Sequence, residues 1–496
     1  MKLLTASQIG KVDVKTIQKE NIKSIDLMEC AAKAFCNEFT EHVGIHTSIA
    51  IICGPGNNGG DGLAVARLLL KKGYTSLSVW ADNFSGKYSP DRQLNLKRLR
   101  KLNIQLYDLT GSAQISKINA SVLVDALLGS GFKNTLRGLM LDIVKEINKL
   151  PVTVYSIDVP TGFLSEGIFQ DGTILRSDTV ISFELPKINF FFPESAKAIK
   201  AFTVVNIGLN KEFIRSLESG FTLTELADVI AIYKPRRSFS HKGTYGHALI
   251  VAGSEQTMGA ALLTAEACLH TGAGLTTACI PDSGLNALNT SLPEVMYMPQ
   301  SSAEIKKQKE KFNAIAIGPG LGDSVASVKI LNELLSFKSP LILDADALNI
   351  ISQEPKLLDL LVEDTILTPH VKEFDRVFGV HSNWWERVAT ARKEAVLRKL
   401  VIVLKNQYTF IASPDGMVHI NETGNPGMAG GGMGDVLTGV ITSLVAQGYS
   451  ALNAAIMGCY LHGRAGDVLA EKCAVVTASD VAKQLSRTLK VISDKC

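Results

Sequence analysis

The sequence predicts an α/β protein of two domains, each built on a largely parallel sheet with helices on its faces. Three observations predict it. Short β-branched runs alternate with amphipathic segments along the chain, as strands joined by helical crossovers do. The 496 residues exceed what one ordinary hydrophobic core organises. The alternation breaks once, in the polar stretch 210–224, and then restarts.

In the first half, strands are expected at 48–53, 77–80, 121–125, 153–158, 179–183 and 202–207. Residues 63–72 carry a helical apolar pattern that Gly73 can close. The second series falls at 247–251, 275–280, 314–317, 341–343, 365–367 and 400–404. A hairpin follows, 408–412 with 417–420, joined by Ser413-Pro414-Asp415-Gly416. There Pro presets φ and Gly accepts a positive one. The expected limits are 1–215 and 225–496, with 216–224 as linker and Thr224 capping a short helix.

Composition narrows the function classes. Apolar residues make up 46% and charged residues 20%, as in a globular protein with large buried sheets. A net charge of +3 argues against nucleic acid, and the basic run Lys97–Lys101 reads as a solvated helix face. The eight cysteines, Cys496 among them, show no metal-binding spacing, and most lie in apolar runs. There is no basic-then-apolar leader pattern and no apolar run of about 18 residues. A soluble cytoplasmic protein, bound to neither membrane nor nucleic acid, is expected.

The first chemical signal is Gly54–Gly62, GPGNNGGDG, between a strand and a helix. Glycines admit a ligand close to the backbone, and free N–H groups at a helix start attract anions. Two further strand ends carry carboxylates, Asp125 in VDALLGSG and Asp158 in SIDVPTG. Ligands collect at the carboxyl ends of parallel strands, so these turns can share one crevice. An Asn carbonyl, a carboxylate and the Thr161 hydroxyl or neighbouring carbonyls make an all-oxygen set that suits a hard ion, potassium or magnesium.

These motifs, in this order and spacing, resemble the NAD(P)H-hydrate epimerase domain over residues 1–215, and Glu184–Lys187 matches that family's Pro-Lys turn. The resemblance implies a Rossmann-like fold and a hydrate site over Asn57, Asn58, Gly59, Gly60 and Asp61. It extends the site to Gly129, Ser130, Gly131, Phe132, Lys133, Asn134, Thr135 and Asp158. It also implies potassium at Asn58, Asp125 and Thr161, where Thr161 replaces the commoner Ser and keeps its hydroxyl. A carboxylic acid beside the substrate hydroxyl is the natural catalyst, and Asp158 is the expected one.

The second signal is NPGMAGGGMGDVLTGVI from Asn425, where a glycine run meets Asp435 and an apolar helix. Glycine N–H groups and the helix start form an anion hole for a phosphoryl group, and Asp435 can accept a proton from an attacking hydroxyl. The turn looks like that of ribokinase-type enzymes. With HKGTYGHALIVAGS from His241, IGPGLG from Ile317, LILDADALN from Leu341 and LTPH from Leu367, residues 225–490 resemble the nucleotide-dependent NAD(P)H-hydrate dehydratase domain.

That resemblance implies hydrate contacts at Ala260, Gly320, His370 and Asp435. The nucleotide, ADP or ATP, would span Lys405, Asn406, Gln407, Tyr408 and Thr409, then Gly430, Gly431, Gly432 and Gly434, with magnesium bridging its phosphates. Two departures stand out. The family's HPGE reads His370-Val371-Lys372-Glu373, and its KG reads Lys405-Asn406, where Asn must supply left-handed freedom.

The whole chain thus resembles a bifunctional NAD(P)H-hydrate repair enzyme, with hydrated NADH and NADPH as substrates and a homo-oligomer expected. The alternatives are a ribokinase-like kinase for a vitamin precursor and a non-catalytic scaffold. His241 and Lys242 could touch phosphate or cap a strand, Asp344 and Asp346 suit a cation or substrate, and Trp384, Trp385, Cys459 and His462 read as packing residues.

Overall fold

The computed structural model describes residues 1–170 and 172–495; Cys496 lies outside the described residues. The chain forms two compact units, Lys2–Ser219 and Gly220–Cys496, the latter including Met1. The strands of the first are β1 (Lys2–Leu3), β2 (Ile49–Cys53), β3 (Leu77–Asp82), β4 (Gln105–Leu109), β5 (Val122–Ala126), β6 (Thr153–Ile157), β7 (Ser177–Phe183) and β8 (Ile199–Val205).

Strands β2 to β8 form one parallel sheet in the order β4-β3-β2-β5-β6-β7-β8. The order reverses between β2 and β5, where a ligand crevice opens. Side chains alternate between the faces. Ile49 and Ile51 join Phe35, Leu63 and Leu69 of the helices Ser24–His42 and Asn57–Lys71. Ala50 and Ile52 instead join Ile143 and Ile147 of the helix Gly138–Ile147. Both faces are therefore clad, as an all-parallel sheet requires.

The second unit continues with β9 (Phe221–Leu223), β10 (His247–Val251), β11 (Leu275–Ile280), β12 (Met296–Pro299), β13 (Ala314–Ile317), β14 (Ile342–Leu343), β15 (Ile366–Leu367), β16 (Val401–Leu404), β17 (Thr409–Ala412) and β18 (Val418–Asn421). Within this unit the order is β9-β18-β17-β16-β15-β14-β13-β10-β11-β12. Six strands run parallel from β12 to β15, β16 continues them, and β17 turns back against β16 as the expected hairpin. The helices Met258–Thr271, Met433–Ala446, Ala451–Ala470 and Ala478–Ser493 bury a core against Ala248, Ile250, Ala316 and Val403.

Four strands depart from the sequence expectation, the short Lys2–Leu3 among them. Gln105–Leu109 and Met296–Pro299 lie at sheet edges with little burial, so no apolar run announces them. Phe221–Leu223 falls in the stretch expected as linker, yet pairs in register with Val418–Ile420. Glu225, rather than Thr224, takes the N-cap of the helix Leu226–Ile232. Cys36, Cys53, Cys268, Cys279 and Cys459 are buried and unbridged. Among the described residues no helix is long and apolar enough to cross a membrane.

Candidate functional sites

The N-terminal unit holds a cavity of about 560 Å³ at the carboxyl ends of β2, β5 and β6. Gly56, Asn57, Asn58 and Asp61 line it, with Leu127 to Phe132 from the β5 turn, Asp158 after β6, and Phe183 and Lys187 after β7. The helix begins at Asn57, earlier than its apolar pattern suggests, so most of the glycines lie inside it. A Cβ on Gly59 would sit 2.0 Å from the Gly54 carbonyl oxygen, and one on Gly62 2.5 Å from Ala126 Cβ. Gly62 lets the helix press on the sheet. Gly59 packs within the turn and Gly60 faces Met28, so neither lines the cavity as expected of substrate contacts. Of the β5 turn, Gly129, Ser130, Gly131 and Phe132 line it, while Lys133, Asn134 and Thr135 do not.

Asp158 has φ 66°, a left-handed conformation that costs a non-glycine residue free energy and is found mostly at functional sites. Its Oδ1 lies 2.7 Å from Lys187 Nζ, and both side chains are buried. Burial raises the Asp158 pKa, but the Lys187 ammonium outweighs it and holds the carboxyl below the ordinary carboxylate range. The residue expected as proton donor is thus ionised, which suits a proton acceptor; Lys187 is the partner that sequence reading missed. Asp61 goes the other way. Burial and the nearby Asp158, Asp13 and Asp91 push it well above the usual range.

Beneath the cavity, Asp125 is fully buried. Its carboxylate accepts from the Thr161 hydroxyl at 2.7 Å, the Thr161 amide at 2.8 Å and the Ser156 hydroxyl at 3.1 Å. The structure therefore joins Asp125 and Thr161. Asn58 packs on Gly129, four residues beyond Asp125, and its buried amide nitrogen has no partner. A rotated Asn58 amide would present oxygen there, so the donor set fits a monovalent cation.

The C-terminal unit holds a second cavity, about 660 Å³. Lys405, Asn406, Gln407 and Thr409 line one side, and Gly430, Met433 and Gly434 the other; Tyr408, Gly431 and Gly432 lie outside its lining. Gly432, φ 86°, is the N-cap of the helix Met433–Ala446, and only glycine takes that conformation without strain. Cys459, His462 and Gly463 also line the cavity, so Cys459 and His462 are wall residues rather than core packing alone. Burial brings the His462 pKa down to about 4, and its Nε2 has no partner.

Asp435 stands on the first turn of that helix, next to the lining residue Gly434 but itself outside the cavity's lining. Burial and the neighbouring Asp344 push its pKa up to about 6. Lys405 pairs with Asp344 instead, Nζ to Oδ1 at 2.8 Å, and the Thr438 hydroxyl donates to Asp344 Oδ2 at 2.7 Å. Burial would lower the Lys405 pKa, but Asp344 and Glu373 carry it above the ordinary value. Ala345, between Asp344 and Asp346, has φ 45° and ψ −113°. Asp346 accepts from the Gly322 amide at 2.7 Å. Among the described residues no three His, Cys, Asp or Glu side chains could hold a metal ion by themselves.

The two sequence departures are absorbed locally. His370 caps the helix Val371–Phe378, its Nδ1 accepting from the Lys372 amide at 3.0 Å, while Glu373 Oε2 accepts from the His370 amide at 2.8 Å. This capping box starts the helix without Pro or Gly. Asn406 is absent from the residues with positive φ, so the left-handed freedom expected of it is not used. Ala260 and Gly320 meet, a Cβ on Gly320 falling 2.9 Å from Ala260 Cβ, but neither lines the cavity beside His370. Lys242–Tyr245 form a turn before β10, away from the cavity. Trp384 lies 6.2 Å from Phe410 and Trp385 5.6 Å from Phe221, ring contacts of a packing role.

Residues 248–488 match the family described as NAD(P)H-hydrate dehydratase, and residues 24–189 that described as YjeF-related protein N-terminus. A bifunctional NAD(P)H-hydrate repair enzyme of Moorella thermoacetica is 34% identical over 494 residues, 95% of this chain and 93% of its own. That of Escherichia coli is 31% identical, covering 90% and 86%. The crystal structure of a ribokinase-like superfamily protein of Enterococcus faecalis matches with TM-score 0.51 at 29% identity, over 56% of this chain and 98% of that one.

Proposed function

The chain belongs to the bifunctional NAD(P)H-hydrate repair enzymes, an epimerase joined to a ribokinase-like dehydratase, and on that premise we propose how its two cavities divide the work. The unit Lys2–Ser219 interconverts the R and S hydrates, and the unit Gly220–Cys496 returns the S form to NAD(P)H. The observation that carries the reading is a lysine on the wall of each cavity paired with a buried aspartate, Lys187 with Asp158 in the first and Lys405 with Asp344, just behind the lining, in the second.

In the first cavity the hydrated ring lies over Asn57, Asn58, Asp61 and Gly129–Phe132, with its hydroxyl-bearing carbon near Asp158. Asn58, Asp125 and Thr161 would hold potassium, whose charge when bound would steady the β5 turn against the substrate. In the second, the Gly-rich helix start receives the terminal phosphoryl of ADP or ATP. Asp435 takes the proton of the substrate hydroxyl, and that oxygen attacks the phosphoryl, leaving the nucleotide one phosphate shorter. Phosphate then leaves carbon with the C–O electron pair, pushed by the ring nitrogen, and the adjacent ring carbon releases a proton to restore the dihydropyridine. Magnesium, when bound with the nucleotide, would neutralise phosphate charge. The reading also assigns the protein to the cytoplasm as a homo-oligomer.

Mixed hydrate epimers incubated with and without ADP and magnesium test it. Without nucleotide the epimers should interconvert; with it, NADH absorbance should recover in full beside AMP and phosphate. A phosphorylated small molecule accumulating without NADH would point to the kinase instead.

A further inference from the structure

The epimerase cavity has a wall that the turn motifs do not announce. On the helix Ala6–Glu20, residues Ala6, Ile9, Gly10 and Asp13 line the cavity. Their spacing puts them on one face, three and four residues apart. Ala6 and Gly10 keep that face low, Ile9 makes it apolar, and Asp13 is its one ionisable group. Asp158 enters the same cavity from the end of β6, so the two carboxyls belong to different elements. Their surroundings differ. Asp158 has Lys187 at 2.7 Å and accepts from the Phe183 amide at 3.3 Å. Asp13 makes no hydrogen bond or ion pair among the described residues.

Resting on the reading of this cavity as the epimerase site, we propose that Asp13 is a catalytic acid there, giving its proton to the departing hydroxyl while Asp158 takes one from the incoming water. The Asp13 carboxyl protonates the hydroxyl on the ring carbon beside nitrogen. The C–O bond breaks with its electron pair on oxygen, water leaves, and the nitrogen lone pair forms a C=N bond to a now planar carbon. Water adds to the other face through an oxygen pair, the C=N pair returns to nitrogen, and Asp158 accepts the surplus proton. Solvent carries a proton from Asp158 back to Asp13, so no net proton or water is consumed.

The charges around Asp13 favour this division. Burial raises its pKa to about 6, with Asp158 and Glu184 adding to the rise and Lys187 opposing it. An acid and a base in one site are recognised by environments that drive their pKa values apart. Asp61, which burial and the neighbouring carboxylates also push well above the usual range, suits a hydrogen-bond donor to the substrate.

The test is Asp13→Asn in the full chain, beside Asp13→Glu and Asp158→Asn, with R-hydrate epimerisation followed across pH and the uncatalysed rate subtracted. Dehydration of pure S-hydrate with ADP reports on folding in the same preparation. The expected result is a fall in kcat of about 100-fold for Asp13→Asn, a KM within a few-fold, and partial recovery in Asp13→Glu. The wild-type decline of kcat above about pH 6 should flatten in Asp13→Asn. Unchanged kcat and an unchanged pH limb in Asp13→Asn, with Asp158→Asn inactive, would overturn the role of Asp13 and leave the site standing. Full activity in both variants would overturn the site and the proposal together.

Discussion

In the N-terminal cavity Lys187 sits 2.7 Å from Asp158; in the C-terminal cavity Lys405 sits 2.8 Å from Asp344. Lys187 is buried and Lys405 partly so, and each leaves another carboxyl nearby with its pKa raised to about 6, Asp13 in one case and Asp435 in the other. The clusters differ in which carboxylate the lysine takes. Lys187 takes one that the epimerase reading uses directly. Lys405 takes a supporting one, and Asp435 stands instead at a helix start among glycine amides. A reaction without phosphate needs an acid and a base of unequal strength. A phosphoryl transfer needs a base beside an anion site, which the helix start and its glycine amides supply.

The largest effect that would break this comparison is in the second cavity. Asp435→Ala should lower dehydration and hydrate-dependent phosphate release together by about 1,000-fold, with epimerisation retained. Phosphate release that persisted would remove Asp435 from the role of base. In the first cavity, Asp158→Asn should cut epimerisation by about 100-fold or more, while S-hydrate dehydration continues; an unaffected rate would dissolve the likeness between the clusters.

The pH profiles sharpen it further. Asp435 must be ionised to act, so the kcat of dehydration should rise through about pH 6 and level off above it. Asp13 must be protonated, so epimerisation should fall through the same region as pH increases. Each limb has a slope of about tenfold per pH unit, and parallel limbs in one direction would contradict the opposed assignments. The smallest effect concerns scaffolding. His370→Ala removes the acceptor of the cap at Val371–Phe378 and should cost about 1 kcal/mol in denaturant unfolding. No loss would mean the helix start is held by Glu373 alone.

Central strands were legible because burial on both faces demands continuous apolar runs, as in Ile49–Cys53 and Val401–Leu404. Edge strands such as Gln105–Leu109 pair on one side only, leave side chains in water, and look like loops. The glycine turns were legible because few other features concentrate so many glycines beside a carboxylate. Their reading was incomplete, since Gly59 packs against Gly54 within the turn and Gly62 lets the helix press on the sheet. Asp13 was invisible because one acid on an amphipathic helix resembles a solvated residue; the signal lay in its small and apolar companions Ala6, Ile9 and Gly10. Cys459 and His462 were read as core because sequence periodicity cannot separate the inside of a protein from the wall of a cavity within it.

The backbone at Ala345 carries one more consequence. A glycine there would relieve about 1–2 kcal/mol of steric cost, and a single nucleotide change turns any alanine codon into a glycine codon. The same change would add disorder to the peptide linking Asp344 and Asp346, whose carboxylates face opposite duties, one toward Lys405 and one toward the Gly322 amide. Alanine at this point works as a ratchet tooth: it makes the turn dearer to form and harder to move once formed.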